Sequence, residues 1–162
     1  MKKIFAMLTV ILFCGTMMVS CNKENNTDNT QYPTKADMAG TWEGSFQGST
    51  TIGNAPENYT INWVLTLNPE GSSNVGSLKY TAKFATLQDL SNEVIVNDYY
   101  PFQNAMQGRI KLTGNMMAGI VEDMIDFDID LKAHTFKGIL EVHTSLDEES
   151  VSLGGETTLK KK

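Results

Sequence analysis

Cysteine is almost missing from this chain: Cys14 and Cys21 are its only two in 162 residues, which excludes a disulfide-stapled scaffold and leaves packing to hold any core. Helical periodicity is missing too. No stretch of the body repeats apolar residues at the three-and-four spacing of an amphipathic helix, so a helical bundle is excluded. Positive charge is short: thirteen Lys and Arg stand against nineteen Asp and Glu, a net −6, the wrong sign for gripping nucleic acid or anionic lipid directly. His134 and His143 are the only histidines, and they do not form a His-x-x-x-His pair. There is no Gly-x-Ser-x-Gly elbow, and Gly40, Gly44 and Gly48 lie in a strand-like context without the strand-to-helix setting of a phosphate loop. The expectation is no catalytic residue, no metal and no cofactor.

What is present begins with an apolar run. Lys2 and Lys3 put positive charge at the start, Ile4 to Val19 is almost uninterruptedly apolar, and Ser20 ends it with a small side chain. This is the layout of a secretory signal peptide. As a helix the run would be about 24 Å long, short of the roughly 30 Å of a hydrocarbon core, so residues 1–20 are expected to be cleaved rather than to span. Met18-Val19-Ser20-Cys21 resembles the cleavage box of bacterial lipoproteins, in which the cysteine thiol receives diacylglycerol and cleavage frees its amine for a further acyl chain. Met18 stands where Leu is usual. Cys14 is the rival cysteine, but it follows bulky Phe13 inside the run. The remaining alternatives are an uncleaved anchor and a plain secreted form, which would leave Cys21 as a lone thiol in an oxidising compartment. The resemblance implies lipidation at Cys21, a membrane partner through the lipid anchor, and a place in the cell envelope, as an outer-membrane lipoprotein. Whether it faces the periplasm or the surface stays open, because Asn22-Lys23-Glu24 only partly matches the export signal of some such lipoproteins.

Without residues 1–20, which hold Lys2 and Lys3, the chain is 142 residues long and carries a net −8. That length supports one domain with a real core. Residues 21–38 are rich in Asn, Thr and charge and read as the lipidated cysteine followed by a flexible tether. Residues 39–162 read as the domain.

The domain reads as all-β. Tyr59, Ile61, Trp63, Leu65 and Leu67 alternate with Thr60, Asn62, Val64 and Thr66, the period of a strand with one buried side. Asn68-Pro69-Glu70-Gly71 supplies a turn, after which Leu78, Tyr80, Ala82 and Phe84 are expected inward. The pattern continues to give strands at about 41–47, 59–67, 75–84, 93–97, 109–114, 116–123, 125–131 and 135–143, with a ninth near 151–159 and a loop or bulge at Asp98–Pro101. A two- or four-residue turn around Lys132-Ala133 sets Asp130 opposite Thr135, Ile129 opposite Phe136, Asp128 opposite Lys137 and Ile125 opposite Leu140, keeping apolar partners on one face. Short connections favour an antiparallel up-and-down meander, and eight strands suffice to close a barrel without exposed edges.

Gly40-Thr41-Trp42 within GTWEGSFQG, and the terminal Gly154-Gly155-Glu156-Thr157-Thr158-Leu159-Lys160, resemble the opening and closing strands of small lipocalin-like (calycin-type) lipoproteins of Bacteroides-like bacteria. The resemblance covers roughly residues 39–160 and implies an eight-stranded, at most nine-stranded, lipocalin-like β-barrel. Such a barrel is either filled or holds one small ligand. Trp63, Tyr80, Phe84, Tyr100 and Phe127 are the candidate ligand-binding residues, since aromatics line packed cores and apolar cavities alike; Trp42, Tyr59 and Phe136 share that ambiguity, whereas Tyr99, Tyr100 and Phe102, beside Pro101, either rim a cavity, contact a partner or fold back over the barrel mouth. Met106, Met116, Met117 and Met124 fill gaps or adapt to ligands. Asp126, Asp128 and Asp130 read as a solvated face partly balanced by Lys137. With the lipid signal, the resemblance implies a non-catalytic, lipid-anchored envelope binding module for a small apolar or amphipathic ligand. The alternative is a structural or protein-interaction barrel with a filled core, meeting an envelope protein or glycan, and an envelope-anchored enzyme comes third. Intact-mass analysis is expected to show acyl mass on a mature N-terminal Cys21 that is lost in Cys21→Ala; a bare thiol there would refute lipidation.

Overall fold

Alternation makes the strands of this protein, and the residues that interrupt it make the turns. The structure, a computed structural model, describes residues 30–116, 119–146 and 148–162. The expected signal peptide, Cys21 and the tether up to residue 29 lie outside the described residues, as does Met117. Eight antiparallel strands follow: β1 Gly40–Ile52, β2 Ala55–Leu67, β3 Gly76–Phe84, β4 Leu90–Pro101, β5 Gln107–Met116, β6 Gly119–Asp130, β7 Thr135–Leu146 and β8 Glu149–Lys161. Each pairs with the next, and β8 returns to β1 to close the barrel. The inward side chains of all eight build one core, in which Trp42, Ile61, Trp63, Leu65, Phe127, Phe136, Leu153 and Leu159 are among the buried residues.

Two strand expectations are corrected. The expected strands 116–123 and 125–131 are not separate: 119–123 and 125–130 both belong to β6 and Met116 ends β5, because β5 runs straight through Gly114-Asn115, which pair with Val121 and Ile120, instead of turning there. The expected ninth segment is therefore β8. The first hairpin is also longer than expected: β1 and β2 stay paired as far as Ile52 opposite Ala55, across Gly53 and Asn54 at φ 57° and 68°, the left-handed pair that a tight two-residue hairpin requires.

At Asp98–Pro101 the chain remains in strand, and the irregularity is a bulge. The β4–β5 register shifts between Val96 and Asp98, so inward phase passes from Val94 and Val96 to Tyr99. Tyr99 is 1 % exposed and Tyr100, one residue on, is 38 % exposed. The buried Tyr99 hydroxyl donates to the Asn68 carbonyl at 2.5 Å, tying β4 to the β2–β3 loop. The β6–β7 hairpin has the expected register for Asp130–Thr135, Ile129–Phe136 and Asp128–Lys137, but its last pair is Phe127–Gly138; Ile125 and Leu140 are not paired. Its four-residue loop is held by Asp130 Oδ1, which accepts from the amides of Lys132 and Ala133 at 2.9 and 2.8 Å.

The folded part begins earlier than the end of the expected tether. Thr34 and Asp37 form a reciprocal capping box on a one-turn helix, α1 Lys35–Met38, and Met38 is fully buried. The Trp42 Nε1 donates to the Met38 carbonyl at 2.9 Å, while Lys161 Nζ donates to the Asp37 carbonyl at 2.9 Å. This end of the barrel is plugged. The bulge makes a measurable distinction: Tyr99→Ala is expected to cost about 3–4 kcal/mol in urea unfolding, as for deletion of a buried aromatic, and Tyr100→Ala under about 1 kcal/mol. Equal losses would mean the phase does not shift at the bulge.

Candidate functional site

The five candidate ligand residues do not converge. Trp63 on β2 and Tyr80 on β3 are register partners with ring centres 5.5 Å apart. Phe127 lies instead against Phe136, 5.5 Å away, and Phe136 stacks on Trp42 at 3.7 Å, so this second group fills the plugged end. Phe84 is half-buried beside Tyr59 at 6.0 Å. Tyr100 is outside the barrel altogether. Further along β2, away from the plug, Tyr59 reaches over Gly48 of β1 to β8, its hydroxyl accepting from the Gly154 amide at 3.0 Å. Gly154 has φ +122°, and a Cβ there would lie 2.0 Å from the Leu140 carbonyl oxygen, so only glycine brings β8 this close.

The two indoles differ in one respect. Trp42 Nε1 has the Met38 carbonyl, whereas Trp63 Nε1 is buried with no hydrogen-bond partner. An orphaned donor of this kind costs about 1–3 kcal/mol. Burial pushes the Tyr80 hydroxyl pKa up, partly countered by a hydrogen bond with Asn92.

At the end opposite the plug, Glu57 occupies an inward position of β2 and is 6 % exposed. Its Oε1 accepts from the Thr86 amide at 2.8 Å and its Oε2 from the Thr86 hydroxyl at 2.7 Å, which pins the β3–β4 loop. The amide and then the hydroxyl of Thr86 hold the Glu57 carboxyl below its ordinary range, outweighing burial. Nearby, an open depression of about 500 Å³ is lined by Gln47, Asn58, Thr60 and Lys83 together with Tyr59 and Phe84.

The outer face of β4 to β7 carries a second feature. Arg109 grips Asp126 with Nε at 2.5 Å and Nη2 at 2.9 Å; this fork drives the arginine pKa up and the carboxyl pKa down. The guanidinium also lies 5.1 Å from the Phe102 ring centre, and Phe102 meets Tyr100 edge-on at 6.2 Å. The Arg109 Nη1 is 3.9 Å from Met124 Sδ. Met124 and, across a depression of about 360 Å³ between β6 and β7, Ile139 are 58 % and 64 % exposed. Asp128 accepts from Gln107 Nε2 at 3.2 Å, and Lys137 pairs with Glu156 at 2.7 Å rather than with Asp128. Among the described residues no three His, Cys, Asp or Glu side chains are grouped to hold a metal ion.

Of this exposed patch the sequence singles out Tyr100, Phe102 and Met124 but not Ile139, although a signal exists: Ile139 occupies the polar phase of Lys137, Glu141 and His143, as Met124 does that of Asp126 and Asp128. Compared with known proteins, the chain matches no family model, no curated protein and no solved structure.

The Glu57 contact makes the β3–β4 loop acid-sensitive. A carboxyl whose folded pKa lies below its unfolded value, here 4.5, contributes stability above that value and loses it as pH falls through the folded pKa. The protection factor of the Thr86 amide, relative to its intrinsic rate at each pH, is expected to be high at neutral pH and to fall below 4.5, whereas in Glu57→Ala it is low throughout. Thr86 protection that survives in Glu57→Ala would refute the contact.

Proposed function

We propose that this protein is a non-catalytic, lipid-anchored envelope barrel, lipocalin-like in build, whose filled interior leaves recognition to its outer face. The observation that carries this reading is the run of Tyr100, Phe102, Arg109, Met124 and Ile139 across the outside of β4 to β7, where Tyr100, Met124 and Ile139 stay in water beside half-buried Phe102 on an acidic protein. Contiguous apolar surface of that kind marks sites of association. The interior supports the same reading from the other side. Trp42, Phe127 and Phe136 pack against one another, Trp63 packs against Tyr80, and Tyr59 bridges between strands.

A second reading, capture of a small apolar or amphipathic ligand inside the barrel, is favoured by one atom, Trp63 Nε1. A ligand bringing an acceptor would satisfy that donor. The two readings separate in Trp63→Phe. In a filled barrel the variant keeps its stability within about 1 kcal/mol of the parent, because losing an orphaned donor offsets lost volume, and native mass spectrometry of both proteins shows polypeptide and acyl mass only. A stoichiometric small-molecule mass that disappears in Trp63→Phe would establish the interior reading instead. For the outer face, a benzophenone side chain at Tyr100 or Ile139 is expected to crosslink an envelope protein in cells, and one at Lys83 is not; equal labelling from all three positions would refute it.

A further inference from the structure

We infer that the seam between β6 and β7 is a strand-acceptor site for an extended, basic segment of a partner protein. The inference rests on the interaction reading above and names its partner class, but a different observation carries it. The neighbouring ladders are long: β5 pairs with β6 from Gln107–Asp128 to Met116–Gly119, and β7 with β8 from Thr135–Lys160 to Leu146–Glu149. Between β6 and β7 the ladder stops at Phe127–Gly138, after four pairs. Both strands nevertheless continue, β6 back to Gly119 and β7 on to Leu146, because each is held by its other neighbour. Past Phe127 and Gly138, each therefore turns one row of backbone N–H and C=O groups toward the seam, and among the described residues no ladder pair joins the two rows there. Such an edge is a template for an added strand.

Solvent reaches this edge. Asp123, Met124, Asp126, Ile139, Glu141 and His143 are all exposed and line the depression of about 360 Å³. Leu140 and Val142 remain buried, so the seam is an accessible edge and not a hole into the core. An added strand offers backbone to both rows and lays its outward side chains against Met124 and Ile139.

Charge selects the occupant. Arg109 is committed to Asp126, which leaves Asp123 on β6 and Glu141 on β7 facing the seam. Asp123 accepts from the Met124 amide at 2.7 Å, and Glu141 is met by the Ser152 hydroxyl at 3.4 Å; among the described residues neither has a basic partner. A second copy of this chain would bring the same carboxylates to the same edge, and like charges directly opposite are unfavourable. Lysine or arginine alternating with apolar residues puts its cations on the outer face beside Glu141, their stems against Met124 and Ile139, and its apolar side chains over Leu140 and Val142.

The test uses the full chain in mild non-ionic detergent and three octapeptides: alternating Lys-Val, alternating Glu-Val, and Lys-Val with an N-methylated backbone. The Lys-Val peptide is expected to bind saturably and to slow amide exchange at residues 123–126 and 139–143. The Glu-Val and N-methylated peptides should bind at least tenfold more weakly. In Asp123→Lys/Glu141→Lys, with its circular dichroism unchanged, the preference should invert toward Glu-Val. Equal binding of the N-methylated peptide, or an unchanged preference in the charge-swapped protein, overturns the inference. So does exchange at the seam-facing amides of 123–126 and 139–143 in the free protein that is already as slow as at the amides of those strands bonded to β5 and β8, or self-association through the seam. Should the peptide fail while crosslinks from Tyr100 persist, the strand site falls and the interaction reading stands; loss of both removes both.

Discussion

The indole of Trp42 joins parts of the chain that are far apart in sequence, and the closure of the barrel depends on it. Its flat face stacks on Phe136 from β7 at 3.7 Å, its N–H is taken by Met38 in the preceding turn, and Lys161 from β8 lies over the ring at 5.1 Å. These contacts surround the place where β8 meets β1, at Trp42–Lys161 and Glu43–Lys160, which is the only strand pairing that the nearest-neighbour order does not make local. A meander folds one hairpin at a time, but closing the ring must overcome the entropy of a loop as long as the domain. Buried aromatic area, a saturated indole donor and a cation over the ring all act at that junction.

Much of this was written in the periodicity. Tyr59 to Leu67 could be read because one face is buried without interruption, and the hairpin register around Lys132-Ala133 followed because a slip of one residue would have carried charge into the core. Asp98 to Pro101 resisted the same treatment for a physical reason: the bulge adds a residue, so alternation on its two sides is out of phase and neither template fits the window. The break expected at Gly114-Asn115 failed because turn-forming residues also sit in strands when a neighbouring strand pairs them, as Val121 and Ile120 of β6 do here. Residues 33–38 looked like tether because they hold little apolar surface. What orders them is Met38, which packs on Gly108, where a Cβ would come 2.7 Å from the Met38 Cε, and no local pattern announces a docking partner seventy positions away.

The candidate site shows a similar division. Aromatic residues were rightly singled out as inward-facing where the alternation was clean, at Trp63, Tyr80 and Phe127. Convergence, however, is a property of the closed ring. Strand position sends Phe127 to the plugged end and leaves Trp63 with Tyr80, while the bulge turns Tyr100 out of the barrel. On the outer face the reverse holds: Arg109, Asp126 and Met124 meet across β5 and β6 because the ladder places Arg109 opposite Asp126, a relation that needs pairing and not merely pattern.

The junction at Trp42 has one more consequence. Lys162 N donates to the Thr41 carbonyl at 2.9 Å and its Nζ meets Glu43 at 2.9 Å, so the end of the folded chain lies alongside its first strand. A ring of nearest neighbours whose ends adjoin has no privileged starting strand. The same eight-stranded closure is available to a circularly permuted chain, with the old ends joined by a short linker and a new start opened in the Gly53-Asn54 turn.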